Sequence, residues 1–139
     1  MLKLKLSVVF ILFLTSFSFA QQADKIIGEY RLPNKLDVEI FKSREKYYGR
    51  IIALNGFEEG EKKDVKNPDK SKRKDVLVGQ VIINNLEFDE DSKEWLNGTM
   101  YGPEKGMIFD LKVTEVKEDE IEVCGSKYFI RKSMSWKKL

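Results

Sequence analysis

Hydrophobic and polar residues alternate in short runs along most of the chain after residue 25, and the runs are rich in Val, Ile, Tyr and Phe. A period of two with these residue types is typical of half-buried β-strands, and no stretch has the longer period of an amphipathic helix. The pattern predicts eight strands: Ile26–Leu32, Leu36–Ile40, Tyr47–Leu54, Val76–Ile83, Trp95–Tyr101, Ile108–Val116, Ile121–Val123 and Tyr128–Trp136.

Most of the predicted strands are separated by short turn sequences, for example Pro33-Asn34, Lys117–Asp119 and Gly125-Ser126. Short connections of this kind join antiparallel neighbours in hairpins. Eight such strands in chain order predict an all-β fold, an antiparallel up-and-down barrel or a strongly curled sheet, because closure removes exposed strand edges. A sandwich of two sheets has the same alternation and is the alternative.

One connection, Asn55–Asp75, is long and strongly charged, with almost no apolar residue after Phe57. Loops of this length are commonly functional or mobile. A solvated mobile loop is the simpler interpretation, and a contact surface for a partner is the alternative.

The first twenty residues predict a signal peptide, because Lys3 and Lys5 precede an apolar run that ends in Ser18-Phe19-Ala20. Cleavage after Ala20 leaves 21–139 as one domain with 23 basic and 23 acidic residues. This balance argues against nucleic-acid binding. We therefore expect a protein exported to the periplasm or the extracellular space, monomeric and without stable membrane insertion after cleavage.

The chain has no His and one Cys, Cys124. These counts exclude His-based metal sites, catalytic triads and internal disulfides, so we expect neither an enzyme nor a cofactor. The sequence Asn67-Pro68-Asp69 is typical of a turn. A Ca²⁺ site that includes Asp64 is the less favoured alternative, since lysines surround it.

An ordered set of motifs extends over nearly the whole predicted mature chain. Its positions are Gly28, Asp64, Asn67, Pro68, Asp69, Gly79, Trp95, Gly98, Pro103, Gly106, Gly125 and Trp136. The set resembles the bacterial domain of unknown function 2147 family, whose members are secreted lipocalin-like β-barrels. The resemblance implies a fold and a compartment but no activity. The chain departs from the family pattern at Tyr30, where relatives tend to carry Trp.

An eight-stranded barrel can be filled by side chains or can hold one small ligand. If a cavity exists, Tyr48, Arg50 and Ile52 share one strand face and offer a guanidinium beside apolar walls. The other face of this strand is apolar as well, so its orientation stays open. Further candidate ligand contacts are aromatic: Tyr101, Phe109 and Tyr128.

These observations favour a module that binds a small apolar or amphipathic ligand, with Asn55–Asp75 as a lid. The alternative function is an envelope interaction scaffold, in which the barrel is filled and the long loop makes the contacts.

Overall fold

The computed structural model describes residues 19–57 and 62–139. These residues form a closed barrel of eight antiparallel strands in chain order. The strands are β1 (Gly28–Arg31), β2 (Asp37–Ser43), β3 (Lys46–Ala53), β4 (Val81–Asp89), β5 (Glu94–Gly102), β6 (Met107–Val116), β7 (Glu120–Lys127) and β8 (Ile130–Lys138). The barrel prediction is confirmed, and the two-sheet alternative is wrong.

The barrel closes by a short pairing of β1 with β8, in which Tyr30 lies opposite Lys138 and Arg31 opposite Lys137. All other neighbouring strands pair over longer stretches, so β1 is the weakest part of the wall. The part of β8 before Lys137 has no pairing partner in β1.

The two ends of the barrel are formed by different elements. The closed end contains the start of β1, the end of β8 and the turns β2–β3, β4–β5 and β6–β7. The open end contains the connections β1–β2, β3–β4, β5–β6 and β7–β8. Two 3-10 helices add to this plan: Asp24–Ile26 precedes β1 at the closed end, and Lys70–Lys72 lies in the β3–β4 connection.

The core follows the predicted alternation, since alternate residues are buried along β3 and β7, while in β5 the buried parity changes at the register shift between Trp95 and Gly98. Trp95 and Trp136 are both buried, as their positions in the predicted strands require. Burial of two such large side chains accounts for much of the packing in a small domain.

The fourth strand begins later than predicted, at Val81 instead of Val76, so the β3–β4 connection is longer than Asn55–Asp75. Gly79 explains the difference because its φ of +94° breaks the extended backbone. Val76 makes only an isolated bridge with Lys63, while Leu77 is buried in the core.

The last hairpin also turns later than predicted. Gly125 and Ser126 lie inside β7, and the turn is formed by Tyr128 and Phe129. Tyr128 supplies the left-handed residue of the turn with a φ of 55°.

Residues 1–18 of the predicted signal peptide lie outside the described residues, and residues 19–23 are helical. No helix in the described part of the chain has the length and apolar character needed to cross a membrane.

Candidate functional site at the open end of the barrel

The closed end is plugged by aromatic side chains that hydrogen-bond to the segment before β1. The Tyr30 hydroxyl is fully buried and donates to the Ile26 carbonyl at 2.8 Å. The Trp95 indole N–H donates to the Ala23 carbonyl at 2.9 Å. Burial raises the pKa of Tyr30 to about 12. The Tyr30 hydroxyl therefore has the partner that it needs in a buried position.

An ionic contact also holds the plug in place. The Tyr47 hydroxyl donates to Asp24 Oδ1 at 2.6 Å, and Lys42 Nζ lies 3.3 Å from the same oxygen. The Tyr47 hydrogen bond lowers the pKa of Asp24 below its ordinary value. Burial, together with the carboxylate, raises the pKa of Tyr47. The plug leaves the opposite end of the barrel as the route to the interior.

The open end is covered on one side only. The β1–β2 connection reaches across the barrel, where Asn34 Nδ2 donates to Glu104 Oε2 of the β5–β6 turn at 3.4 Å. Leu36 from the same connection, and Phe57 and Leu77 from the long connection, are buried in the core. The side formed by β6, β7 and β8 has no such cover among the described residues.

A cavity of about 350 Å³ opens on this uncovered side. It lies on the inner face, because its wall residues have the same strand parity as the buried Leu111, Val123 and Trp136. Its apolar wall consists of Gly102, Met107, Phe109, Gly125, Ile130 and Met134. The volume falls in the lower part of the ~300–1,000 Å³ range of small-molecule pockets.

Two glycines, on the two strands that flank β6, create the space around Phe109. A Cβ on Gly125 would lie 3.1 Å from the Phe109 ring and 3.8 Å from Met134 Cε, and one on Gly102 would lie 3.4 Å from the ring. Side chains at these two positions would crowd the ring or occupy the cavity. We call the opening of this cavity the mouth. The motif glycine at position 125 therefore has a direct physical role in keeping the mouth open.

The rim of the cavity is mainly basic. Lys105, Lys127 and Lys132 line it together with one acidic residue, Glu104. Lys127 Nζ donates to the Ile108 carbonyl at 2.9 Å. Within residues 19–57 and 62–139, the side chains of Lys105 and Lys132 make neither a hydrogen bond nor an ion pair. An apolar wall below unpaired ammonium groups is chemically suited to an amphipathic anion.

The predicted site on β3 is not part of this cavity. Tyr47, Gly49 and Ile51 face inward, so Tyr48, Arg50 and Ile52 lie on the outer face. Arg50 donates to Glu39 Oε1 at 2.8 Å, and its guanidinium lies 4.4 Å from the Phe41 ring centroid. These three candidates, whose orientation the sequence left open, therefore do not line the interior. The inner face is the one with Gly49, because an added Cβ there would lie 2.6 Å from Ile83 Cδ1.

The aromatic candidates have three different locations. Phe109 is in the cavity wall, as a ligand contact would be. Tyr101 has the outward parity of β5, and its hydroxyl donates to the buried Asp64 at 2.6 Å, so it anchors the long connection. Tyr128 lies at the rim on the tip of the last hairpin and is 90% exposed, so it does not fill the interior.

The motif around Asn67 forms the predicted turn. Asn67 Nδ2 donates to Asp64 Oδ2 at 2.7 Å, and Asn67 Oδ1 accepts the Asp69 backbone N–H at 2.9 Å. Asp69 Oδ1 then accepts the Ser71 backbone N–H at 3.0 Å and begins the 3-10 helix. Pro68 lies between these two bonded residues. Their oxygens are used in internal hydrogen bonds, which fits the structural interpretation of the motif.

Several other motif positions lie where two segments of the chain come into close contact. A Cβ on Gly98 would lie 2.5 Å from Leu86 Cδ2, and one on Gly106 would lie 2.0 Å from the Lys66 carbonyl oxygen. Pro103 precedes this contact and is buried. Gly106 therefore lets the long connection dock on the β5–β6 turn. Gly28, at the start of β1, lies beside the Tyr30 ring.

The family model described as "uncharacterized protein conserved in bacteria (DUF2147)" matches residues 28–138. The chain belongs to this family. The match starts with β1, so the segment that plugs the closed end of this DUF2147 barrel precedes it.

A solved structure has the same fold with a TM-score of 0.70 and 22% sequence identity, over 82% of each chain. It is described as protein HP1028 from the human pathogen Helicobacter pylori, which belongs to the lipocalin family. At this identity the likeness is one of fold. A search of curated proteins finds no match to the DUF2147 chain.

Sequence reasoning missed the β8 side of the mouth, namely Ile130, Lys132 and Met134. A usable signal exists, because these residues have the same parity as Trp136, which was expected to be buried. The lysine at position 132 obscures this signal, because a lysine on the inner face is unusual in a filled barrel.

Proposed function

We propose that this DUF2147 barrel is an exported binding protein, not an enzyme, and that the cavity at its open end binds a small amphipathic anion. The observation that carries the proposal is the combination of an apolar wall around Phe109 with two unpaired lysines, Lys105 and Lys132, at the rim. The lipocalin-like fold supports it, because eight-stranded barrels can hold one small ligand.

The ligand class follows from the two parts of the cavity. Met107, Phe109 and Met134 offer an adaptable apolar surface, since thioether side chains adjust to irregular shapes. The ammonium groups at the rim favour a carboxylate or another anionic head group. Further inside, Leu111, Val123 and Trp136 are buried and fill the barrel. The apolar tail of a ligand therefore has room only near the mouth. A volume of about 350 Å³ accommodates roughly a dozen groups of about 30 Å³ each.

Export is supported by the sequence of residues 1–20. Cleavage after Ala20 would retain Ala23, Asp24 and Ile26, whose contacts plug the closed end. Mass spectrometry of protein from the producing bacterium should find Gln21 at the N-terminus. An intact Met1 would contradict export by signal cleavage.

Binding is tested by displacement of an apolar dye with saturated carboxylic acids of increasing length. Affinity should rise by ~0.8 kcal/mol for each buried CH₂ and level off once the cavity is filled. Lys132→Met should weaken the acids and leave the alcohols of equal length unchanged, while Phe109→Ala should weaken both. Arg50→Met is the matched control, because Arg50 lies on the outer face.

Failure of both acids and alcohols to displace the dye, or to bind by calorimetry, would contradict the proposal. The alternative from the sequence, an interaction scaffold that uses the long connection, would then replace it.

A further inference from the structure

The tip of the β7–β8 hairpin exposes an unusual amount of apolar surface. Tyr128 is 90% exposed, Phe129 102% and Ile130 75%, and these three residues are consecutive. Isolated exposed hydrophobic residues are ordinary, but a contiguous exposed group marks an interaction site. Ile108 on the neighbouring β6 is also exposed and extends the group.

The backbone at the tip supports a functional interpretation. Tyr128 has a φ of 55°, a conformation that glycine or asparagine adopts more easily than a bulky aromatic residue. Glycine would relieve this strain in a turn. Lys127 Nζ lies 5.7 Å from the Tyr128 ring centroid, and the residue is otherwise 90% exposed, so its side chain is available for an external contact.

The charge around the tip indicates the kind of partner. Lys127, Arg131 and Lys132 flank the three apolar residues, and the sequence contains no acidic residue after Glu122. The side chains of Arg131 and Lys132 have neither a hydrogen bond nor an ion pair with any residue of the described ranges. Aromatic residues between basic residues match the interface of an anionic bilayer, where rings insert at head-group depth and cations contact phosphates.

We propose that the hairpin tip docks the barrel on an anionic lipid bilayer, with Tyr128, Phe129 and Ile130 inserted among the head groups. Lys127, Arg131 and Lys132 contact the lipid phosphates. The mouth opens beside this hairpin, so a docked barrel presents its cavity to the membrane surface. The inference stands on the tip alone and does not require the cavity to bind a ligand.

The test is cosedimentation of the purified protein with vesicles of phosphatidylglycerol and phosphatidylcholine. The N-terminus of the purified protein is determined beforehand. Binding should be strong at low salt, fall as salt is raised, and be weak for vesicles of phosphatidylcholine alone. Phe129→Ser should lower the partition coefficient by about tenfold, because a fully exposed ring loses its burial in lipid. Arg131→Ser should lower it by about fivefold.

Ile27→Ser is the matched control, since Ile27 is also apolar and 46% exposed but lies at the closed end. It should bind vesicles as the unmodified protein does. A second readout is fluorescence: Phe129→Trp should shift to the blue and be quenched by brominated lipid, while Ile27→Trp should not. Neither position packs in the core, and circular dichroism verifies that each variant is folded.

Equal binding by Phe129→Ser and the unmodified protein would overturn the proposal, as would a lack of binding to anionic vesicles. The second result would point to a protein partner for the tip. Acid binding in the dye assay should be unchanged in Phe129→Ser, so failure of docking is distinguishable from failure of the ligand site.

Discussion

The two ends of the barrel use the same types of residue in opposite ways. At the closed end, Tyr30, Tyr47 and Trp95 are buried, and each polar atom has a hydrogen-bond partner in the preceding segment. At the open end, Tyr128 and Phe129 are exposed, and the Tyr128 hydroxyl has no partner in the described part of the chain. Aromatic residues stabilise the first end, whereas at the second they remain available for binding.

Charged residues show the same contrast. At the closed end Lys42 pairs with Asp24, Lys46 with Glu87, and Lys117 with Glu120. At the mouth Lys105 and Lys132 are unpaired within the described ranges. Exposed ion pairs contribute little to stability, about 0–1 kcal/mol each. The contrast therefore concerns the electrostatic potential at the mouth more than the stability of the barrel.

The largest expected effect comes from removing a side chain that is buried toward the closed end. Trp136→Ala should lower the free energy of unfolding by ~3–5 kcal/mol, because a fully buried indole leaves a cavity. Urea unfolding followed by far-ultraviolet circular dichroism measures this. An unchanged midpoint would contradict the placement of β8 in the barrel wall.

A smaller effect distinguishes two glycines that face the interior at different depths. Gly98→Ala should destabilise by ~1–3 kcal/mol, because the new Cβ lies 2.5 Å from Leu86 Cδ2 and 2.9 Å from the Leu111 carbonyl oxygen. Gly125→Ala, 3.1 Å from the Phe109 ring, should cost less stability and weaken the binding of acids in the dye assay. Thermal unfolding measures the loss of stability, and dye displacement measures acid binding. A larger loss of stability in Gly125→Ala, together with a larger loss of binding in Gly98→Ala, would contradict the location of the cavity.

The ionic contact of the plug predicts a dependence of stability on pH. Tyr47→Phe should lose about 1 kcal/mol near neutral pH, because half-exposed Asp24 retains some solvent. The pKa of Asp24 is lowered from 3.8 in the folded protein, so its stabilising effect is present above that pH and is lost as the pH falls through the folded pKa.

The difference between Tyr47→Phe and the unmodified protein should therefore shrink in acid, as urea midpoints measured between pH 7 and pH 2 would show. A difference that stays constant over this range would mean that Asp24 does not act through Tyr47.

The smallest expected effect is at the hairpin tip. Phe129→Ser should change the free energy of unfolding by less than about 0.5 kcal/mol, because its ring buries nothing in the folded chain. Differential scanning calorimetry compares it with Trp95→Ala. A large loss of stability in Phe129→Ser would show that the tip packs against the barrel and is unavailable for docking.

The sequence by itself determined that the chain forms eight antiparallel strands, that Trp95 and Trp136 are buried, and that Asn67-Pro68-Asp69 is a turn, and it favoured a barrel or strongly curled sheet over a two-sheet sandwich. These features depend on local alternation and on turn chemistry, which a single sequence displays. The order of motifs also placed the chain in its family.

Only the tertiary structure decided which face of β3 points inward and where the cavity lies. The sequence suggested Arg50 for the site, but the close approach of Ile83 requires the Gly49 face inside. The mouth residues Phe109, Gly125 and Lys132 come from three strands and meet only when the sheet closes. Inward orientation depends on strand register and on contacts between residues that are distant in the chain. A strand that is apolar on both faces has no local signal for which face points inward.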